Sequence, residues 1–579
     1  MTGEMREGGM SFPRRFKRAP ERPHSITLTT GSHRHRLAFG EESMKFTSLL
    51  LMSLLGCGML VAADESQHHE DLMPEHLGTV HFPVSCSAPV QKPFERGIAL
   101  LHSFWYEEAE KQFNQIAKDD PKCAMAHWGV AMSIWHQLWN HPDEGTVKKG
   151  LGEVKLAEGL HAKTPRERDY IAAMDAFYSG AADRSYQGRA DAYSKAMQRI
   201  HERYPDDREG AAFYALSLLA SEPDNDTTFA NRKQAAAILE KLFAVEPDHP
   251  GVAHYLIHSY DKPQLAQLGL PAARRYAQIA PAAPHALHMP SHIFARLGLW
   301  QDDINSNLAS VAATRKTAAM HMGGEGHQFH AMSFLLYAYL QSGRDADAQH
   351  VIDEVRAMPA MHDMYGLGFD PHISALVQFP ARYDIELHHW ADAAALQPVE
   401  GADRSDTAVL YWAKAIGAAR SGRAEEARKD ASGIEAIQKE IEQQKKLMFA
   451  EVVRQDYDEA TAWADFAEGK GDEGVKTLRL LAEKEEAEGD EPTGIPAREM
   501  VADMLLELNR PEPALIEYEA DLKFNPNRFD GLYGAGRAAE LAGKTEKADT
   551  YYVQLLKVCD GSNSDRPELA RAKSLLAKK

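Results

Sequence analysis

The chain has 579 residues, 44% of them hydrophobic and 26% charged, with a formal net charge of −20. That length exceeds one ordinary core, so several domains or a repeat array is expected, built from the composition of a folded protein. The acidic balance, with no basic block in the folded part, argues against a nucleic-acid partner, whose phosphates need clustered Lys and Arg.

Residues 1–43 are rich in Arg, Pro and His without apolar periodicity and read as a disordered or non-native leader. From Met44 to Ala63 a charged start, a short apolar core and a small-residue exit predict a signal peptide, cleaved after Val61-Ala62-Ala63. Leu54-Leu55-Gly56-Cys57 alternatively reads as a lipobox that leaves a lipid anchor on Cys57, and an uncleaved anchor is the third reading. No later stretch is apolar over the ~18 residues a membrane span needs. The mature chain is therefore expected to be exported, periplasmic or secreted, and soluble or tethered by lipid.

Residues 64–95 read as an extended N-terminal segment. Cys86 and Cys123 are candidates for a disulfide pinning that segment to the first hairpin, as an oxidising compartment favours. The same cysteines with His102 and His127 offer a Cys2His2 zinc set as the alternative, and free thiols remain a third. Cys559 is left unpaired.

From residue 96 a helical grammar takes over. A small residue or Gly is followed five places on by Ala or another small residue: Gly343/Ala348, Gly422/Ala427, Gly469/Gly474, Asn509/Ala514 and Gly543/Ala548. Phe104/Ala109 and Gly298/Asp303 are looser copies. Independently, Ala109, Ala235, Ala272 and Ala514 are each followed twelve residues later by Pro121, Pro247, Pro284 and Pro526. This grammar resembles the tetratricopeptide repeat family, whose unit is a helix-turn-helix hairpin. The resemblance implies an all-α, right-handed α-solenoid, in which each hairpin buries its apolar face on its neighbour. Residues 96–395 then form an array with a His-rich groove, 396–490 a helical middle array, and 491–579 a C-terminal hairpin pair and tail. The opening GTVHFPVSCSAPVQKPFERGIALLHSFWYEEAEKQF and the later HMPSHIFARLGLW also resemble a set of exported bacterial repeat proteins, which implies a fold and a compartment but no chemistry.

The resemblance implies a concave groove lined by the first helix of each hairpin. Carried onto this chain, it places Trp128, Met132, Trp135 and His136 in an aromatic part of the groove. His254, His258, Asp261, His288 and His292 fall in the middle, followed by His330, Ser333 and Tyr337. The C-terminal part is acidic, with Glu499, Asp503, Glu507 and Asp530. Spacing supports the middle set independently, since residues three and four apart on a helix are neighbours.

Two readings follow. One is a binding scaffold that holds a protein, a peptide or a small molecule in the groove. The other is a metalloprotein or metalloenzyme built on His254, His258, Asp261, His288, His292 and His330. Two His and a carboxylate resemble an iron set, while further His suit zinc or copper; inward-pointing Met289, Met320 and Met322 would favour copper. A third idea is a pH-responsive binder, since grouped imidazoles ordinarily titrate near pH 6–7. No nucleophile elbow, phosphate-binding Gly loop, haem-attachment motif or HExxH is present, and no catalytic residue is assigned; Glu325 is a candidate base beside the His cluster.

Overall fold

The computed structural model describes residues 76–579 apart from 139–140, 181–183, 224–225, 323–325, 360–369, 444–446, 490–491, 563 and 579. The described residues fall within one compact unit, Met73–Lys579. The expected leader and signal peptide, Cys57 and Glu325 lie outside the described residues.

Among the described residues the structure is all-α, with no strand, and no described helix is long and apolar enough to cross a membrane. The helices pair into hairpins, beginning with Gln91–His102 against Tyr106–Asp119 and ending with Phe529–Leu541 against Thr545–Val558, before a last helix Pro567–Leu576. Successive hairpins stack into a TPR-like solenoid.

The five-residue sequence rule has a backbone cause. Phe104, Gly298, Gly343, Gly422, Gly469, Asn509 and Gly543 all have φ between 51° and 82°. In these hairpins a left-handed residue ends the first helix and turns the chain back. Five residues on, the second helix must approach the first, and Ala109, Ala348, Ala427, Ala514 and Ala548 are buried there. His388, with φ 56°, followed by buried Ala393, is another copy of this turn.

Three of the residues expected in an open groove are core. Trp128, Met132 and Trp135 are each 1% exposed or less. The Trp128 ring lies 5.5 Å from Phe82 of the N-terminal segment, Trp135 stacks on Phe177 at 3.7 Å, and the Met132 sulfur accepts from the Tyr193 hydroxyl. The first helix of this hairpin is packed on by neighbours from both sides, so its apolar stripe meets helices and not a ligand. His136 stands half-buried, stacked on Tyr106 at 4.4 Å.

The groove beside Tyr337 is filled by the chain itself. Arg528 Nη1 donates to the Tyr337 hydroxyl at 2.7 Å and to Glu386 at 3.1 Å, while its Nη2 donates to Glu499 at 2.7 Å. The Trp300 indole donates to the Asn527 carbonyl at 2.9 Å, and Arg566 pairs with Asp345. The C-terminal hairpins thus fold back on the middle of the solenoid, and Tyr337 is a buried partner of Arg528 rather than a free groove residue.

Candidate metal centre

Four helices carry the histidines: Pro250–Tyr260, Pro284–His288, Pro290–Arg296 and His327–Gln341. The break at Pro290 does not swing His288 away, because Met289 keeps helical angles (φ −52°, ψ −33°). His288 and His292 therefore remain one turn apart on one face.

Six imidazoles gather into two sets of three, His254/His258/His285 and His288/His292/His330. In the first, His254 Nε2 lies 3.1 Å from His258 Nε2 and 3.2 Å from His285 Nε2. In the second, His292 Nε2 lies 3.1 Å from His288 Nε2 and 3.4 Å from His330 Nε2. Two nitrogens bound to one ion at ~2.0–2.1 Å, with ~100–110° between them, stand ~3.1–3.4 Å apart.

The outward nitrogens fix which atoms face inward. His254 Nδ1 lies 2.6 Å from the His102 carbonyl, which can only accept, so Nδ1 carries the proton and Nε2 a lone pair. The Asn307 amide nitrogen donates to the Asp303 carbonyl, so its oxygen faces His288 Nδ1, which donates to it at 2.7 Å. His292 Nδ1 donates to Asp261 at 2.8 Å. Burial alone would raise the Asp261 carboxyl, but Arg296 and His292 hold it well below its ordinary value, an ionised acceptor. Metal-ligating His ordinarily donates its other N–H to a carbonyl or carboxylate in this way.

The surroundings disfavour charge on four of the rings. Burial, followed by the other imidazoles, lowers His285 and His288 well below the usual His range, and burial lowers His254 to about 3. His258 is lowered likewise, by burial and then by His254. The range near pH 6–7 expected for a pH-responsive cluster is therefore moved down for these four rings. Phe104 packs over the first set, 4.3 Å from His254 and 5.6 Å from His285, and Phe334 over the second, 4.7 Å from His292 and 5.2 Å from His330. His330 is the exposed member of the six.

The structure thus brings together five of the six residues expected to ligate and reassigns the sixth. Asp261 faces His292 Nδ1 and Arg296 Nε, 2.8 and 3.0 Å away, so it stands behind the His292 ring and not among the inward nitrogens. The member of the two sets not singled out from the sequence as a candidate ligand is His285. Its signal was present, one residue after Pro284 and three before His288, but spacing alone assigns it to the same set as His288. The Met ligands expected for copper are not supported either, since Met289 and Met322 belong to the apolar core.

The Cys2His2 alternative does not hold. Cys86 and Cys123 are joined to each other, His127 Nδ1 meets Glu153 at 2.7 Å, and His102 points elsewhere. His102 Nε2 and His249 Nε2 converge on the two oxygens of Glu209, at 2.8 and 3.0 Å. His249 Nδ1 accepts from the Val252 amide, so its Nε2 carries the proton. Although burial pushes Glu209 up, His249 and His102 hold it below its usual range. This is a hydrogen-bonded carboxylate, and it anchors the turn whose carbonyl orients His254.

No protein-family model and no curated protein matches the chain. Among solved structures it is similar to the human IFIT1 dimer with m7Gppp-AAAA, at TM-score 0.33 and 12% identity over 79% of this chain and 94% of that one. It is also similar to the human IFIT1 dimer with PPP-AAAA, at TM-score 0.34 and 13% identity over the same shares.

Proposed function

We propose that this protein is a metalloprotein that holds two transition-metal ions, one in each set of three histidines, inside a helical solenoid. One observation carries the reading. His288 and His292 both donate their Nδ1 protons outward, so two Nε2 lone pairs face each other at 3.1 Å. Lone pairs at that distance repel unless a cation lies between them, and a metal ion, unlike one shared proton, also engages the third imidazole of each set. Imidazole suits zinc, copper and iron, but iron sets of this kind include a carboxylate, and neither set has one among the described residues.

The scaffold reading, with a protein, peptide or small molecule in an open groove, loses support where Trp128, Met132 and Trp135 are core and Tyr337 is covered. Export remains part of the proposal. It is supported by the signal-like Met44–Ala63 stretch and by the Cys86–Cys123 bond, which suits an oxidising compartment.

The test is metal analysis of tag-free protein, stripped with chelator and reloaded separately with zinc and with copper. Two equivalents retained per chain, falling to one in His288→Gln, is the expected result. Retention of no stoichiometric metal of either kind ends the proposal.

A further inference from the structure

We propose that the two sets hold a copper pair and that this pair binds dioxygen reversibly; the inference rests on the two-ion reading above. Three features of the site lead to it.

The first is charge. All six donors are imidazoles, which bring no negative charge, and the nearby carboxylate, Asp261, is already opposed by Arg296. A second acid, Asp303, is fully buried and joined to the site through Asn307, and burial raises its carboxyl well above the usual range. Two divalent ions would bring four positive charges into this enclosure, whereas two copper(I) ions bring two. Copper(I) is satisfied by three nitrogen donors in a trigonal arrangement, while zinc held by three protein ligands keeps a fourth position for water.

The second is adjacency. His285 and His288 sit one turn apart yet serve different sets, with ring centroids 6.0 Å apart. His258 and His292 face each other across the two sets at 6.5 Å. The ions are therefore side by side, placed to share one small bridging molecule.

The third is the wall. Phe104 and Phe334 close the two sets with rings that carry no proton donor. Phe104 is held at φ 51°, a left-handed conformation that a bulky residue rarely adopts, and its carbonyl accepts from the His327 ring. Such a wall suits a small, neutral, apolar guest and offers a reduced guest no proton from its own side. Dioxygen meets both conditions.

The step balances without a co-reactant. Each copper(I) gives one electron, dioxygen accepts both and becomes a peroxide dianion bridging two copper(II) ions, and no proton is taken up. Release returns the two electrons to copper.

The experiment loads chelator-stripped full-length protein with two equivalents of copper(I) under argon and then admits air. An intense near-ultraviolet charge-transfer band, reversed by returning to argon, together with silence in electron paramagnetic resonance, is expected. His258→Gln should retain one copper and give, in air, an isolated copper(II) signal without the band. Two coppers retained but oxidised to two isolated copper(II) signals would overturn dioxygen binding and leave the two-ion reading standing. Fewer than two coppers retained by the unmodified protein overturns the inference, and the two-ion reading falls with it if zinc is not retained at two equivalents either. A band that survives in His258→Gln also overturns the inference, because one ion cannot supply both electrons.

Discussion

The backbone carbonyl of His102 accepts the Nδ1–H of His254 at 2.6 Å, across 152 residues of chain. His102 ends the first helix of a hairpin, two residues before the left-handed Phe104. The turn that lets the hairpin close also aims a carbonyl at one ring and lays an aromatic side chain over three. A feature of the repeat is used here to orient a candidate ligand.

Asp261→Asn tests the orienting role directly. The neutral amide can still accept from His292 but no longer balances Arg296. Metal affinity is expected to fall by about 10–100-fold, the usual cost of losing a partner behind a ligand. Chelator competition measures it, and an unchanged melting temperature of the metal-free protein would show that the fold is intact.

Two glycines in equivalent turns should respond differently to alanine. At Gly543 (φ 72°) nothing stands within 4 Å of a new Cβ, so Gly543→Ala should cost only the ~1–2 kcal/mol of left-handed backbone. At Gly298 (φ 63°) the new Cβ would lie 2.1 Å from the Pro526 carbonyl oxygen, so Gly298→Ala should cost clearly more. Denaturant unfolding of the two variants checks the order. Equal losses would show that the C-terminal hairpins do not rest on this turn.

Arg528 is 1% exposed and holds Glu386 and Glu499, both 2% exposed. Arg528→Met leaves two carboxylates buried without their cation and should destabilise by about 3–5 kcal/mol. Glu386→Gln together with Glu499→Gln, on the Arg528→Met background, should recover part of that loss, which a thermal melt can read.

Asp406 gives a pH dependence far from the metal centre. Burial, with Asp403 nearby, raises its pKa from 3.8 to about 6. Between those values the folded state binds more protons than the unfolded chain, so this group's contribution falls as pH rises from 4 to 6 and stays lost above. The size is on the order of 3 kcal/mol. Asp406→Asn should remove this component, seen as a higher melting temperature than the parent at pH 7 and little difference at pH 4.

The Cys86–Cys123 bond closes a loop across a sequence separation of 37. Cys86→Ser should cost about 3–4 kcal/mol by the loop-entropy argument. Reductant should destabilise the parent and leave the variant unchanged.

Much of this was legible in the residues, and for a clear reason. A helix repeats every 3.6 residues, so His254/His258 and His288/His292 had to pair on their own helices, and the spacing from turn to small residue had to mark hairpins. Periodicity says which side chains share a face; it does not say what that face meets. That the Trp128–Trp135 stripe is enclosed depends on Phe82 and Phe177 arriving from elsewhere in the chain. That His285 and His288 divide between two sets depends on where the helices bearing His254 and His330 pack. The turn of Asp261 toward Arg296, and the return of Arg528 to Tyr337 across 191 residues, likewise follow from the angles at which hairpins stack. Those angles are set by packing between neighbours and accumulate along the array, so only the assembled solenoid settles them.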